Sequence, residues 1–230
     1  LSWGWSDKHN KKIQPVGNLI TMGRSIQCDP RGPALMVEMA IPRYSYHMYA
    51  APLAGQWLSY FEDQCAFINA LPKELSMQLR VRLFKRDYGW DQKERWNDQF
   101  SDLQFDSGQE SIVSVIKKSR LYISTYNATT YLESLAWNIP TIIFWNPHHW
   151  ELNKDAEYYI GLLKSVGIFH DTPEGAAKKM TKVWEDIPMW WNSKEVQNAR
   201  KEFCDYYSNS TANPLVRLRS IFSQIENPHY

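Results

Sequence analysis

Polar residues crowd the start of a predicted helix near the middle of the chain. Thr125, Asn127 and Thr129 follow a short apolar run, and their side-chain oxygens are typical caps for the free N–H groups of a helix's first turn. Those N–H groups and the positive end of the helix dipole also favour a phosphate. Glu133 lies about one turn further in, where a carboxylate could meet a ribose hydroxyl. The pattern indicates a phosphate-binding turn at 125–130, with an ordinary capped helix as the alternative.

Two apolar runs flank this helix and would position it. Leu121–Ser124 and Thr141–Trp145 have the length and composition of buried strands. Between them, Leu132, Leu135 and Ala136 recur at helical spacing. The stretch is therefore predicted to fold as strand, anion-binding turn, helix and strand.

Two earlier predicted strands end in basic residues. Ala34–Ile41, which Glu38 interrupts, is followed by Arg43, and Leu79–Phe84 leads into a cluster of three cations, Arg82, Lys85 and Arg86. Ligands of open α/β sheets bind beyond the carboxyl ends of the strands. These cations are therefore candidate ligands for a second anionic group, because a guanidinium offers a bidentate fork to phosphate or carboxylate. A solvated charged surface is the alternative.

Two adjacent histidines follow the strand that ends at Trp145. His148 is a candidate to contact a ligand or to act as a general acid–base, because histidine titrates near neutral pH. Neighbouring positions such as His148 and His149 do not converge easily on one ion, and no HExxH pattern accompanies them. A metal site is not expected.

Further elements alternate along the rest of the chain. Short strands are predicted at 1–5, 103–105 and 168–170, and helices at 52–70, 109–118, 154–165, from 173, at 193–207 and at 215–225. Proposed caps are Ser107 with Glu110 in a capping box, Gly167 and Thr172. The last helix is expected to bury the face formed by Leu215, Leu218, Phe222 and Ile225. The order predicts an α/β fold, a Rossmann-like parallel sheet with helices on both faces.

The amino-acid composition limits the classes of function that the protein can have. The 230 residues are 43% hydrophobic and 22% charged, as in a soluble globular protein. A net charge of +1 gives no bulk attraction to nucleic acid or to an anionic membrane. The three cysteines, Cys28, Cys65 and Cys204, are far apart, which argues against a disulfide framework or zinc site and suits a reducing cytoplasm. No apolar run is long enough to cross a bilayer, no signal peptide is recognised, and the start at Leu1 suggests a fragment.

A family resemblance rests on the central segment. Residues 127–145 resemble the donor-binding segment of GT-B glycosyltransferases, where a small or polar turn precedes a helix carrying a Glu and a Pro-x-Ile strand follows. More narrowly, the chain is similar to the C-terminal part of bacterial surface-polysaccharide transferases that include retaining β-Kdo transferases. Leu-Ser-Trp-Gly-Trp at the start, Arg-Leu-Phe-Lys-Arg-Asp-Tyr-Gly-Trp at 82–90 and the tract 145–172 fit the same group.

The resemblance implies one half of a GT-B architecture, working without a metal on a nucleotide-sugar donor, CMP-Kdo or a related compound, and a saccharide acceptor. The donor phosphate would be held by Thr125, Asn127, Ala128, Thr129 and Thr130, and the ribose by Glu133. The sugar or its carboxylate would meet Arg43, Arg82, Lys85, Arg86 and His148. No catalytic residue is identified. The enzyme would build lipopolysaccharide or capsule in the cytoplasm or peripherally at the inner membrane.

Three segments are expected on this basis. Residues 1–33 would be an entry or interdomain segment, 34–212 the nucleotide-sugar-binding domain, and 213–230 a helix packing back on the domain or on an N-terminal GT-B half. Two other functions remain open: an enzyme resembling a nucleotide-sugar epimerase, and a non-catalytic α/β interaction module whose tryptophans pack against a partner.

Overall fold

A single parallel sheet organises the protein. The computed structural model describes residues 1–21, 26–44, 53–210 and 213–226. Its strands lie in the order β3-β2-β1-β4-β5-β6 and are β1 Ala34–Val37, β2 Leu79–Arg82, β3 Gln104–Phe105, β4 Leu121–Ser124, β5 Thr141–Phe144 and β6 Phe169–His170. The chain order reverses between β1 and β4, as in Rossmann-like folds. The predicted α/β class and parallel sheet are confirmed.

Helices cover both faces of the sheet. They are α1 Trp57–Asn69, α2 Lys73–Ser76, α3 Gln92–Gln99, α4 Ile112–Lys117, α5 Thr129–Ala136, α6 Lys154–Ser165, α7 Pro173–Val183, α8 Ile187–Trp191, α9 Lys194–Tyr207 and α10 Pro214–Glu226. α1 packs on α7, whereas α5 and α6 pack on α9. Every residue of β1, β4 and β5 is buried, because helices on both sides cover these mainly apolar strands. Among the described residues, no helix combines the length and hydrophobicity that a membrane crossing needs.

Several local predictions are confirmed to the residue. β4 and α6 have their predicted bounds, and the chain leaves α6 through Gly167 at a φ of 73°. The Thr172 hydroxyl accepts a hydrogen bond from the Gly175 N–H at the start of α7, whose first residue is Pro173. Each of these signals acts within a few residues, so tertiary packing does not override it.

The capping box predicted at Ser107 is wrong. α4 begins at Ile112, and Ser111 is its cap, with a hydroxyl that accepts from the Ser114 N–H. Gly108 adopts a φ of 72°, a left-handed conformation, so the helix cannot extend back to Ser107.

Some predicted elements are too long. β1 stops at Val37 and β2 at Arg82, and both segments continue as loops. The segment 1–5 is not a strand; Ser2 makes a single bridge to Pro15. α1 begins at Trp57 after one 3-10 turn, and the predicted helix start at Pro52 lies outside the described residues.

The face predicted for the C-terminal helix is wrong. In α10, Ile221 is 6% exposed, whereas Leu215 is 60% and Phe222 53% exposed. The helix therefore turns its Leu218–Ile221 side, rather than the Leu215–Phe222 side, towards the body of the protein. The side chain of Ile225 lies outside the described residues. Periodicity identified an amphipathic helix but not which neighbour it would pack against.

Candidate functional site

The carboxyl ends of β1 and β4 form the edge where ligands bind in open α/β sheets. Val37 is in register with Arg82 on one side and with Ser124 on the other. Because in-register side chains share a face and successive ones alternate, Arg82 and Ser124 lie on one face and Glu38 and Thr125 on the other. We call these the α5 side and the α1 side of the edge.

On the α1 side, a chain of hydrogen bonds joins the two strand ends. The Thr125 hydroxyl donates to the Val37 carbonyl at 2.9 Å, and the Met39 N–H donates to the Tyr60 hydroxyl at 3.0 Å. The Tyr60 and Thr125 oxygens are 2.6 Å apart. Since the Thr125 proton is committed to Val37, Tyr60 must donate to Thr125. Thr125, a predicted phosphate ligand, therefore has its hydroxyl engaged inside the fold, and it does not cap α5.

Glu38 lies beside this chain and is 2% exposed. The Trp96 indole N–H donates to its Oε2 at 3.1 Å, while Oε1 has no partner in the described part of the chain. Burial raises the pKa of Glu38 to about 8, against the smaller effect of the Trp96 bond. The carboxyl group is therefore protonated at neutral pH. The sequence indicated an unusual residue, because Glu38 is an acid inside an apolar run, but it did not predict the raised pKa.

On the α5 side, the first turn of the helix has no side-chain cap among the described residues. Its N-cap is Ala128, which has no side-chain oxygen to accept a hydrogen bond. Asn127 instead accepts a hydrogen bond from the Tyr131 hydroxyl at 3.1 Å, and Thr129 is exposed. The predicted capping by Thr125, Asn127 and Thr129 is wrong, and the first-turn N–H groups are left without side-chain acceptors.

Glu133 lies behind that first turn and is 9% exposed. Its side chain makes no hydrogen bond or ion pair with any other described residue, and burial raises the pKa of its carboxyl group. Tyr126 is close by: burial raises the pKa of its phenol, the Thr130 hydroxyl and Arg82 lower it, and Glu133 raises it. Tyr126, Thr130, Arg82 and Glu133 therefore converge at the α5 side. Sequence analysis missed Tyr126, because a tyrosine carries no local signal of its neighbours.

Arg82 is already paired. Its Nη1 is 2.5 Å from Asp106 Oδ2, and its Nη2 donates to the Glu110 carbonyl at 2.9 Å. A guanidinium has five N–H donors, so three remain beyond these two contacts. An anion bound by Arg82 would have to share the guanidinium with the carboxylate of Asp106.

The other predicted cations lie on the loops. Arg43 donates to the Gly89 carbonyl at 3.1 Å and lies 5.5 Å from the Trp90 ring centroid. Lys85 and Arg86 are exposed and form no ion pair with the described residues. The structure does not bring these cations into contact with α5, although they stand at the same edge of the sheet.

The two histidines differ in their surroundings. His148 is exposed, whereas His149 is 6% exposed, with an Nδ1 that lacks a partner in the described segments. Burial, and to a lesser extent His148, lowers the pKa of His149. His149 is therefore a neutral imidazole that the sequence analysis passed over. Within the described residues, no three His, Cys, Asp or Glu side chains are grouped to hold a metal.

The cysteines do not supply a nucleophile. Burial raises the pKa of Cys28 to about 11 and those of Cys65 and Cys204 to about 12. All three stay protonated at neutral pH, whereas the reactive form is the thiolate.

A cleft of about 470 Å³ opens beyond β5 and β6. Trp145, Trp150 and Phe169 form its apolar part, and Lys164 and Asp171 form a 2.8 Å ion pair at its border. Its volume is in the range of small-molecule sites. Its lining residue Trp150 directly follows His149 in the sequence. The cleft lies on the opposite side of β5 from the switch point, the place between β1 and β4 where the strand order reverses.

The fold and this edge define a Rossmann-like α/β protein in which a helix N-terminus without a side-chain cap from any described residue lies at the topological switch point, the place between β1 and β4 where the strand order reverses. Residues 1–222 match the LIC12162 family transferase, and the chain therefore belongs to this family of transferases. No curated protein matches the chain. A transferase takes a donor and an acceptor, and glycosyl transfer is the activity that the family match suggests.

Proposed function

We propose that the chain is the donor-binding part of a GT-B glycosyltransferase that builds bacterial lipopolysaccharide or capsule from CMP-Kdo or a related donor. One observation carries the proposal. The α5 N-terminus, which has no side-chain cap among the described residues, stands at the switch point beside Glu133, a residue 9% exposed whose half-buried carboxyl group has no hydrogen-bond partner there.

The donor phosphate would bind at this N-terminus. The N–H groups of Thr129, Thr130 and Tyr131 belong to the first turn, where no i−4 carbonyl exists to accept them. Each dipole contact contributes about 0.3–1 kcal/mol, so several must act together. The Thr130 hydroxyl and the unused donors of Arg82, both close to Tyr126, are additional groups on the same side. They would stabilise the leaving phosphate without a metal.

Glu133 would bind the ribose. Its half-buried carboxyl group has lost part of its hydration, and two ribose hydroxyls would supply hydrogen bonds in place of the lost water. These bonds favour the ionised form, so donor binding would lower the raised pKa of Glu133.

An acidic sugar such as Kdo would use the cations at the edge. Arg43, Lys85 and Arg86 are on the loops that follow β1 and β2, and His148 follows β5. The cleft beside Trp145 and Trp150 offers room for the rest of the donor. The acceptor, and an N-terminal GT-B half contributing the catalytic group, are further parts of this proposal, as is a cytoplasmic location.

Calorimetric titration with CMP, CMP-Kdo, UDP and GDP tests the proposal. Wild type is compared with Glu133→Gln and with Glu195→Gln, an exposed glutamate at the start of α9 that serves as the matched control. We expect selective binding of CMP compounds, weakened by about tenfold to a hundredfold in Glu133→Gln, because a hydrogen bond to a charged group is worth about 1.5–3 kcal/mol. Urea unfolding should show that both variants are folded.

Each other outcome has a definite meaning. Preference for UDP or GDP would keep the donor site but end the Kdo assignment. Equal binding by Glu133→Gln would remove Glu133 from the site. Binding of no nucleotide would end the donor proposal and favour the interaction module, and release of a sugar epimer without acceptor would favour the epimerase.

A further inference from the structure

A second cleft, of about 610 Å³, lies on the flank of the molecule between the N-terminal segment and the helices α6 and α9. Residues 5–9 form one wall, and the other consists of Lys154, Asp155, Tyr158, Tyr159 and Tyr206. An adjoining groove of about 590 Å³ shares Tyr159 and Tyr206 and continues along α9 past Glu202 to Asn198. We call the two together the tyrosine cleft.

The N-terminal wall is fixed to the end of α9. The Asn209 N–H donates to the Trp3 carbonyl at 2.8 Å, and the Asn18 N–H donates to the Asn209 carbonyl at 2.7 Å. A Cβ on Gly4 would overlap the carbonyl oxygens of Asp205 and Tyr206. Only glycine lets the backbone at position 4 come this close to the end of α9. The next residue, Trp5, therefore lies at the cleft.

Aromatic side chains with uncovered surface line the cleft. Trp5 is 38% and Tyr158 58% exposed, and the rings of Tyr159 and Tyr206 stack at 4.4 Å with an interplanar angle of 23°. Clustered aromatic side chains normally bury their ring faces in a hydrophobic core. Here exposed rings border a concave site of small-molecule size, which is typical of ligand pockets.

Polar groups beside the rings suit hydroxyls rather than ions. The Tyr158 hydroxyl donates to Glu202 Oε1 at 2.7 Å and leaves the other carboxylate oxygen available. The charged side chains of the first cleft are two acids, Asp7 and Asp155, and two lysines, Lys8 and Lys154. Because the two signs balance, the cleft has no net attraction for an anionic ligand. Flat apolar rings with interspersed acceptors and donors match the C–H faces and hydroxyls of a pyranose.

The cleft also opens at the functional end of the molecule. α6 begins at Lys154, in the loop beyond the carboxyl end of β5, so its first two turns lie at the same sheet edge as the switch point. We propose that the tyrosine cleft binds neutral pyranose residues of the acceptor saccharide, at a distance from the donor. The acceptor role rests on the proposed glycosyltransferase function; the saccharide binding itself does not.

Saturation-transfer NMR with maltotriose and cellotriose, followed by titration, tests the site on the full chain. Wild type should bind at least one of these trisaccharides. Trp5→Ala and Tyr158→Ala should each weaken that binding about fivefold, the effect of losing about 1 kcal/mol of aromatic contact. Phe222→Ala removes an equally exposed aromatic side chain of α10, outside the cleft, and should leave binding unchanged.

A backbone variant gives a second measurement. Gly4→Ala should displace the N-terminal wall and abolish saccharide binding, whereas Gly55→Ala, where a Cβ would meet nothing within 4 Å, should not. Absence of trisaccharide binding by wild type, or unchanged binding in Trp5→Ala and Tyr158→Ala, overturns the inference. CMP titration of the same variants separates the two proposals, since a failed donor site would leave trisaccharide binding intact and a failed cleft would leave CMP binding intact.

Discussion

The two sides of one sheet edge are built in opposite ways. On the α1 side, Glu38, Tyr60, Trp96 and Thr125 are all at most 2% exposed and are joined to the strand ends by hydrogen bonds. On the α5 side, Asn127 and Thr129 are exposed, and the helix N-terminus has no side-chain cap within the described residues. The α1 side is closed by its own groups, whereas the α5 side presents groups to a ligand.

This contrast predicts that changes on one side affect mainly the stability of the fold and changes on the other mainly ligand binding. The buried polar groups of the α1 side bond to one another, apart from Glu38 Oε1, so changes on this side should act on the free energy of unfolding. A helix end without a cap gives up about 0.5–2 kcal/mol of stability that a side chain could supply. Changes on the α5 side should therefore act mainly on ligand binding, and three variants test this difference.

The largest expected effect is at Glu38. The folded protein keeps the Glu38 proton up to about pH 8, whereas a free glutamate has a pKa of 4.5. The folded state therefore binds more protons between these values, and the free energy of unfolding falls as pH rises through this window, by up to about 1.4 kcal/mol per pH unit. Glu38→Gln, which cannot ionise, should lack this fall. Urea unfolding of both proteins at about pH 5 and about pH 8 measures the difference.

Other acids with raised pKa values, of which Asp63 is one, do not confuse the result. Burial raises the pKa of Asp63 to about 6, with a smaller contribution from Glu174. Asp63 is present in both proteins, so its contribution cancels in the comparison. Parallel pH profiles for wild type and Glu38→Gln would show that Glu38 is ionised in the fold.

A smaller effect is expected at Tyr60. Tyr60→Phe removes the hydroxyl between the Met39 N–H and the Thr125 oxygen, and should cost about 1–3 kcal/mol because partly buried partners lose a hydrogen bond. Nucleotide affinity should change little. Tyr158→Phe is the matched control: its hydroxyl bonds to Glu202 in solvent, and it should cost less than about 0.5 kcal/mol. Equal costs in urea unfolding would contradict the closed character of the α1 side.

The smallest effect on stability has the opposite sign. Ala128→Asp places a carboxylate at the N-cap of α5, where the backbone is extended with a φ of −145°, and should stabilise the fold by about 1 kcal/mol. The same carboxylate would occupy the first-turn N–H groups and repel a phosphate, so CMP binding should be lost. Thermal unfolding and calorimetry measure the two effects. A variant that gains stability and still binds CMP would place the phosphate elsewhere.

Elements with strong local signals were predictable. The apolar run of β4, the helical spacing of α6 and the Thr172–Pro173 start of α7 are each encoded within a few residues. Capping at Ser107 and the buried face of α10 failed, because a single φ at Gly108 and the choice of packing neighbour decided them. In the candidate site, sequence analysis placed Glu133, Thr130 and Arg82 at one edge but gave none of their contacts.

The sequence by itself determined the alternation of strands and helices, and with it the Rossmann-like sheet and the edge where a ligand would bind. Hydrophobic periodicity and turn chemistry suffice for that, since they act over short distances. Only the tertiary structure decided which residues face one another there. Thr125 turned to Tyr60 instead of α5, Arg82 to Asp106, and Glu38 into the core, because register and strand alternation set the direction of each side chain.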